Sequence, residues 1–292
     1  MHVLLVANPR SGRRSGLRAA RLAAAQMTEG GWEVTLRTTT CAGDAARLAR
    51  EAAAEGFDAV FACGGDGTLS QVVTGLLDTG LPAGLIPAGT GNDFARTVGL
   101  SRTPVAAVRQ ALHGAARAVD LLEVNGGAAW GVNVLGVGFD AAVAARLNRR
   151  VRVTGGAFAY VTAVLQELAV HRATEVELTV GGESWAGRAL LVAVANAQSY
   201  GGGMRIAPGA SVNDGLLNVV LVQEIGRLSF VRAFPRVFRG THLSHPAVRV
   251  WQGREVTVRT PQPRPGLIDG DLAGETPLAV RVAPHRALLW LP

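Results

Sequence analysis

Ala59-Val60-Phe61-Ala62-Cys63-Gly64-Gly65-Asp66-Gly67-Thr68 is an apolar run that ends abruptly in glycines. Its first five residues read as a buried strand, Leu69–Leu77 as a helix, and the glycines between them as a strand-to-helix turn. Glycine there lets main chain approach an anion closely, and the following helix turns its first amides and their partial positive charge toward it. The same five residues also suit a tight turn with no ligand. The motif alone does not choose.

Its neighbours repeat the pattern. Val3–Ala7 is a short apolar strand ending in Asn8-Pro9-Arg10-Ser11-Gly12. Leu17, Ala20, Ala24 and Met27 then recur at helical spacing up to Gly30-Gly31, and Trp32–Leu36 reads as the next strand. Asp44 is placed to cap a helix over Ala45–Ala54. Ala83–Pro87 is a further strand, running into Ala88-Gly89-Thr90-Gly91-Asn92-Asp93. Strand, glycine turn and helix in repetition predict an α/β domain with a parallel, helix-covered sheet. Ligands bind such sheets at the carboxyl ends of the strands, where all three turns fall. Three such turns on one edge favour a phosphate site over three coincidental loops.

After Asp120 the pattern changes. Leu121–Val124, Ala129–Val137, Glu175–Val180, Ala189–Ala195, Leu216–Val222, Glu255–Arg259 and Leu278–Val282 are short β-rich runs, separated by turns such as Asn125-Gly126-Gly127 and Asn213-Asp214-Gly215. They predict an antiparallel β-sandwich or barrel, interrupted by a helical stretch over Ala141–Val170. The expected organisation is an α/β domain over 1–121, with the tail from about 284 to 292 available to return to it, and a β-sandwich domain over 122–283.

The chain has 292 residues, 48% hydrophobic and 17% charged, which excludes a disordered or fibrous protein. Two cysteines, Cys41 and Cys63, cannot form a disulfide framework and read as small buried hydrophobes. All 29 basic residues are arginine. Without lysine there is no Walker-type phosphate loop, no Schiff-base lysine and no protein-kinase ATP lysine. The net charge of +7 and a pI near 10.9 point to an anionic partner. Nucleic acid is disfavoured, since aromatics are only 5% and no nucleic-acid motif accompanies the charge. Val3–Ala7 is too short for a secretory signal, and no stretch approaches the ~18 apolar residues of a spanning helix. The expected location is cytoplasmic, with peripheral attachment at the inner membrane face. The six histidines show no metal-ligand spacing.

The ordered set of motifs resembles the diacylglycerol kinase catalytic-domain family, to which bacterial soluble diacylglycerol kinases, sphingosine kinases and ceramide kinases belong. The resemblance rests on Asn8-Pro9-Arg10-Ser11-Gly12, Gly64-Gly65-Asp66-Gly67-Thr68 and Pro87-Ala88-Gly89-Thr90-Gly91-Asn92-Asp93-Phe94-Ala95-Arg96. It continues through Gly136-Val137-Gly138-Phe139-Asp140, Asn213-Asp214-Gly215 and Leu267-Ile268-Asp269-Gly270-Asp271.

That resemblance implies an NAD-kinase-like α/β domain followed by a β-sandwich, and ATP-dependent phosphorylation of a lipid alcohol such as diacylglycerol. By the same resemblance Asn8, Pro9, Arg10, Ser11 and Gly12 line the nucleotide, with Thr39 or Thr40 touching it. Gly64, Gly65, Asp66, Gly67, Thr68, Leu69, Ser70 and Gln71 hold the phosphates, and Gly89, Thr90, Asn92 and Asp93 contribute from the neighbouring turn. Asp66 lies at the phosphate end, through Mg2+ or near the transferred group. Asp271 or Asp269 accepts the proton of the alcohol. A structural Mg2+ falls on Asp214 with the carbonyls of Ser211 and Leu216. The chain departs from the family at Ser70 and Gln71, where Asn and Glu are usual, and at Asp271, where Glu is usual.

The lipid implied needs an apolar cleft and access from a membrane. Arg146, Arg149, Arg150 and Arg152 precede one apolar stretch. Arg227, Phe230, Arg232, Phe234, Arg236, Phe238 and Arg239 form another, and both suit transient docking on anionic lipid. Two other readings stay open on the residues: an NAD kinase-type enzyme, and a weakly active nucleotide- or lipid-binding regulator. The oligomeric state, a homodimer included, is not legible.

Overall fold

A computed structural model of the chain describes residues 1–139, 141–143, 166–167, 172–283 and 287–292, and of residues 13 and 14 only the backbone. The chain folds into two compact units, Met1–Asp120 with Pro284–Pro292, and Leu121–Ala283.

In the first unit the strands are β1 (His2–Ala7), β2 (Glu33–Thr38), β3 (Ala59–Gly64), β4 (Ala83–Pro87), β5 (Ala115–Val119) and the C-terminal β17 (Ala287–Leu291). They form one sheet in the order β2-β1-β3-β4-β17-β5, parallel except for β5 against β17. Val3 to Ala7 and Ala59 to Cys63 are fully buried or nearly so, because helices cover both faces of such a sheet. Around these strands run α1 (Ser11–Arg14), α2 (Gly16–Glu29), α3 (Asp44–Ala54), α4 (Asp66–Gly75), α5 (Asp93–Thr97) and α6 (Pro104–Leu112). Ala20, Ala23 and Met27 form the buried stripe of α2. The C-terminal β17 falls in the tail that the sequence leaves available to this unit. It inserts beside β4, and Trp290 anchors it by donating to the Ala111 carbonyl at 2.8 Å and packing edge-on against Trp32.

The second unit holds β6 (Leu122–Val124), β7 (Ala129–Gly131), β8 (Val134–Gly138), β9 (Thr174–Val180), β10 (Glu183–Ala195), β11 (Leu217–Gln223), β12 (Val248–Gly253), β13 (Glu255–Arg259), β14 (Pro265–Ile268), β15 (Asp271–Glu275) and β16 (Leu278–Val282). The long β10 makes the sandwich. Its first half, Glu183–Ala189, pairs antiparallel with β9, whereas Leu191–Ala195 pairs with β8 on one side and β11 on the other. A bulge between Ala189 and Leu191 marks the change of pairing. On β9, Val176, Leu178 and Val180 point inward and meet Leu135, Val192, Val219 and Val256 in one apolar core. A short helix, α7 (Arg227–Ala233), and two 3-10 turns, Phe234–Arg239 and Thr241–Ser244, lie between β11 and β12.

The α/β unit and antiparallel sandwich are as the sequence predicts. Several local expectations change. The single strand expected over Ala129–Val137 breaks at Val132-Asn133, where the main chain turns to bind the Asp269 carboxylate. Asp44 is the first residue of α3, not its cap; Gly43, at φ +84°, occupies the cap position. The helix expected over Ala141–Val170, with Arg146, Arg149, Arg150 and Arg152, lies almost wholly outside the described residues, as does Asp140. None of the described helices is long and apolar enough to cross a membrane.

Candidate functional site

The three glycine turns leave β1, β3 and β4 at the same edge of the sheet, because these strands are parallel neighbours. Their main chains are in contact. The Asn8 amide donates to the Cys63 carbonyl at 3.0 Å, and Ala88 N donates to Gly64 O at 2.8 Å. A Cβ on Gly89 would collide with the α-carbon of Gly65, and one on Gly12, where φ is +54°, with the Ala88 carbonyl. Glycine is required at both places because backbone occupies the space a side chain would take.

Side chains tie the turns further. Asn8 Nδ2 reaches Thr68 Oγ1 at 3.4 Å, and the Asn8 Oδ1 accepts the Arg10 amide at 3.0 Å. Ser11 Oγ donates to the Asn8 carbonyl at 2.8 Å. Asn92 folds back on Gly89, accepting its amide at 3.0 Å and donating to its carbonyl at 3.1 Å. Thr90 is exposed at the tip of this turn, while Asn92 and Asp93 are buried beneath it. The α4 N-terminus, with Gly65 extended at its cap, has no side-chain cap. Its first amides are therefore available to an anion.

Of the residues expected at the phosphates, Leu69 is fully buried and Ser70 is 8% exposed. Pro9 and Gln71 stay half-buried, and Arg10 is exposed. Asp66 is engaged within the protein, its two carboxylate oxygens accepting the Asp93 amide at 3.1 Å and the Phe94 amide at 2.9 Å. It thus satisfies the opening amides of α5. The motif alone gives no sign of this pairing.

Beside the turns, Thr39 N donates to the Ala7 carbonyl at 2.9 Å. Asp44 organises the loop that follows. Its Oδ2 accepts Thr40 Oγ1 at 2.5 Å, Thr40 N at 2.7 Å and Cys41 N at 3.2 Å. These hydrogen bonds, that from the Thr40 hydroxyl first, hold the Asp44 carboxyl well below the usual carboxylate range. Cys41 is exposed in this loop, contrary to the sequence expectation, because its amide rather than its side chain is what the loop uses. Cys63 is buried at the end of β3, and burial pushes its thiol up to about 12. It is no nucleophile.

In the second unit the two late aspartates differ sharply. Asp269, at φ +51°, accepts three amides: Val132 N at 2.7 Å, Asn133 N at 3.0 Å and Val134 N at 3.2 Å. It joins segments 135 to 137 residues apart in the chain. Asp271 opens β15 as an exposed residue opposite Ile268.

At Asp214 the Oδ1 accepts the Leu216 amide at 3.0 Å, and Ser211 Oγ donates to Asn213 Oδ1 at 2.9 Å. This turn offers one exposed carboxylate and neighbouring carbonyls. Such hard oxygen donors fit a hydrated magnesium ion, which takes one or two carboxylates and keeps several waters. Among the described residues no group of three or more His, Cys, Asp or Glu could hold a metal.

An apolar cavity of about 80 Å³ lies in the same unit, lined among others by Phe139, Leu191, Met204, Ile206, Phe230 and Phe234. His242 is in its wall and is buried. Its Nε2 must carry the proton that the Ile206 carbonyl accepts at 3.1 Å, and burial pulls the ring below the usual imidazole value. Nothing in the sequence marks this histidine.

A parallel α/β unit with packed glycine turns is followed along the chain by an antiparallel sandwich. Known proteins share this build. Residues 2–124 match the diacylglycerol kinase catalytic domain, and residues 133–290 match the YegS C-terminal NAD kinase beta sandwich-like domain. The chain is 32% identical over 276 residues to a diacylglycerol kinase of Bacillus subtilis, covering 94% of this chain and 90% of that one. It is 36% identical over 290 residues to a diacylglycerol kinase of Mycobacterium tuberculosis, covering 97% and 92%. A crystal structure of a diacylglycerol kinase from Bacillus anthracis superposes with a TM-score of 0.76 at 20% identity, covering 100% of this chain and 96% of that chain, a likeness of fold. The chain belongs to the diacylglycerol kinase family. It is a lipid kinase.

Proposed function

We propose that this chain transfers the γ-phosphate of ATP to the hydroxyl of a lipid alcohol, diacylglycerol being the first candidate. The observation that carries the nucleotide half is the close packing of the three glycine turns around the uncapped N-terminus of α4. Phosphoryl transfer asks mainly for positioning and charge stabilisation, which fixed main-chain amides supply without a lysine. Asn8, Arg10, Ser11, Gly12, Thr39 and Thr90 are the remaining nucleotide contacts in this reading.

Asp271 is the base. It is exposed at the start of β15, and Asp269, which accepts three amides, positions the turn that presents it. A carboxylate within reach of the hydroxyl takes its proton as the phosphorus–oxygen bond forms. Asp66 holds the second and third turns together and so positions the phosphate-binding amides. Magnesium, where bound with the nucleotide, would neutralise phosphate charge; Asp214 with the Ser211 and Leu216 carbonyls would hold a structural ion.

The apolar cavity, with Phe139, Phe230 and Phe234 in its wall, is where an acyl chain would lie. Transient attachment to an anionic membrane, at the inner face of the cell membrane, would bring the enzyme to its lipid. The test is transfer of radiolabelled phosphate from ATP into a total lipid extract, with the product identified. A labelled lipid monophosphate ester is expected; label that stays in ATP and inorganic phosphate overturns the reading.

A further inference from the structure

Strand β11 opens Leu217-Asn218-Val219-Val220-Leu221-Val222, an apolar run broken only by Asn218. Asparagine is depleted in strands, and this one is 5% exposed. Its register partner on β12 is Gln252, as Val250 is that of Val220 and Val248 that of Val222. Successive pairs lie two residues apart, so all three share one face of the two strands.

That face carries two separate openings. Val222 and Val248 line the apolar cavity described above. Val220, Val250, Asn218 and Gln252 line a second cleft of about 310 Å³, which shares no lining residue with the first. Neighbouring residues divide them: Ile206 and His242 line the cavity, Ala207 and Leu243 the cleft. The hydrogen bond from His242 Nε2 to the Ile206 carbonyl, at 3.1 Å, ties the two segments of this partition together. The volume of the cleft falls in the range of small-molecule sites, about 300–1,000 Å³.

At one end of the cleft two amides are set against each other. Gln252 Nε2 donates to Asn218 Oδ1 at 2.9 Å. This satisfies the Asn218 oxygen and leaves its Nδ2 a buried donor with no partner among the described residues. A buried N–H without an acceptor costs free energy, which leucine or valine at 218 would avoid. Strand packing therefore does not account for Asn218, whereas a ligand that accepts from Nδ2 does. Gln252 is exposed beside it, and its Oε1 remains available to accept.

The rest of the cleft is apolar. Val250, 45% exposed, forms a bed with Val220, Leu243 and Ala207, and no charged side chain among the described residues lines it. A charged ligand would lose its hydration there without meeting a counter-charge. A carboxamide fits: its carbonyl accepts from Asn218 Nδ2, its N–H donates to Gln252 Oε1, and its chain lies on the valines.

We propose that this cleft is a binding site for an uncharged carboxamide carried on a short apolar chain, separate from the apolar cavity. It takes no part in phosphate transfer, so it stands or falls independently of the kinase reading.

The test is a two-dimensional NMR titration of the full chain with hexanamide, hexanoate and hexylammonium, which differ in the charge of the head. Hexanamide is expected to shift the side-chain amide signals of Asn218 and Gln252 to saturation. Hexanoate and hexylammonium should bind about tenfold more weakly or worse. Asn218→Leu removes the donor, and Asn218→Asp replaces it with an acceptor while keeping the partner of Gln252. Each should weaken hexanamide binding by about tenfold or more. Asn218→Leu should also melt no lower than wild type, because an apolar side chain replaces an amide with an unmet donor. A purely structural asparagine would move that readout the other way. Equal binding of the three ligands, unchanged hexanamide affinity in Asn218→Leu, or a lower melting temperature in that variant overturns the proposal. So do hexanamide shifts confined to Phe230, Phe234 and Val237, which would put the ligand in the apolar cavity instead.

Discussion

Asp66 accepts the main-chain amide of Phe94 at 2.9 Å, across 28 residues of sequence. The acidic residue of one glycine turn is thereby the N-terminal anchor of the helix that follows the next turn. Asp66→Ala should leave two amides without partners and lower stability by about 2–3 kcal/mol, at the level of a charged hydrogen bond. Asp66→Asn should lose less, since one amide oxygen remains. Urea unfolding checks this: a midpoint that does not move in Asp66→Ala removes the anchoring role.

The two late aspartates should separate in experiment. Asp271→Asn should cut turnover by about 10²–10⁴, the usual worth of a positioned general base, with the unfolding midpoint and ATP affinity unchanged. Asp269→Ala should lower stability and turnover together, because three amides lose their acceptor. The decisive comparison is calorimetric ATP binding set beside turnover for each variant. If Asp269→Ala is as stable as wild type, its positioning role is wrong.

Gly89→Ala places a methyl group against the α-carbon of Gly65, a clash that neither backbone can relieve by a change of side-chain rotamer. Overpacking of this kind costs about 1–3 kcal/mol, and here it pries apart the turns proposed to hold phosphate. ATP affinity should fall more than stability does. Gly209→Ala serves as the control, since nothing lies within 4 Å of its Cβ position. Equal ATP affinity in the two variants would show that the close approach of the turns does not shape the nucleotide site.

Asp44 gives a pH signature. Its folded-state carboxyl is held below its ordinary value of 3.8, so its contribution is fully present above that value and disappears as pH falls through the folded-state value. Asp44→Asn should therefore melt below wild type at neutral pH, and the difference should narrow in acid. Thermal melting of both proteins from neutral to acidic pH tests the sign; a gap that widens in acid contradicts it.

Much of this architecture is written in local pattern. Apolar runs such as Val3–Ala7 and Ala59–Cys63, each ending in small residues, dictate buried parallel strands, because only a helix-covered sheet hides both faces of a continuous apolar strand. Alternation in Glu175–Val180 likewise dictates a half-buried antiparallel strand, and the glycine turns follow from the strands they terminate. These features depend on neighbours in sequence, which is why they can be read from the residues alone. Only the tertiary structure decided that main-chain amides occupy Asp269, since those of Val132 to Val134 reach it from more than 130 residues away. The same holds for Cys41 and Cys63, chemically identical residues of which one lies in a surface loop and one beneath a sheet edge. It also holds for the last strand, which lies between β4 and β5. Burial and hydrogen-bond occupancy are set by whatever folds back onto a residue, and that is a property of the packed chain.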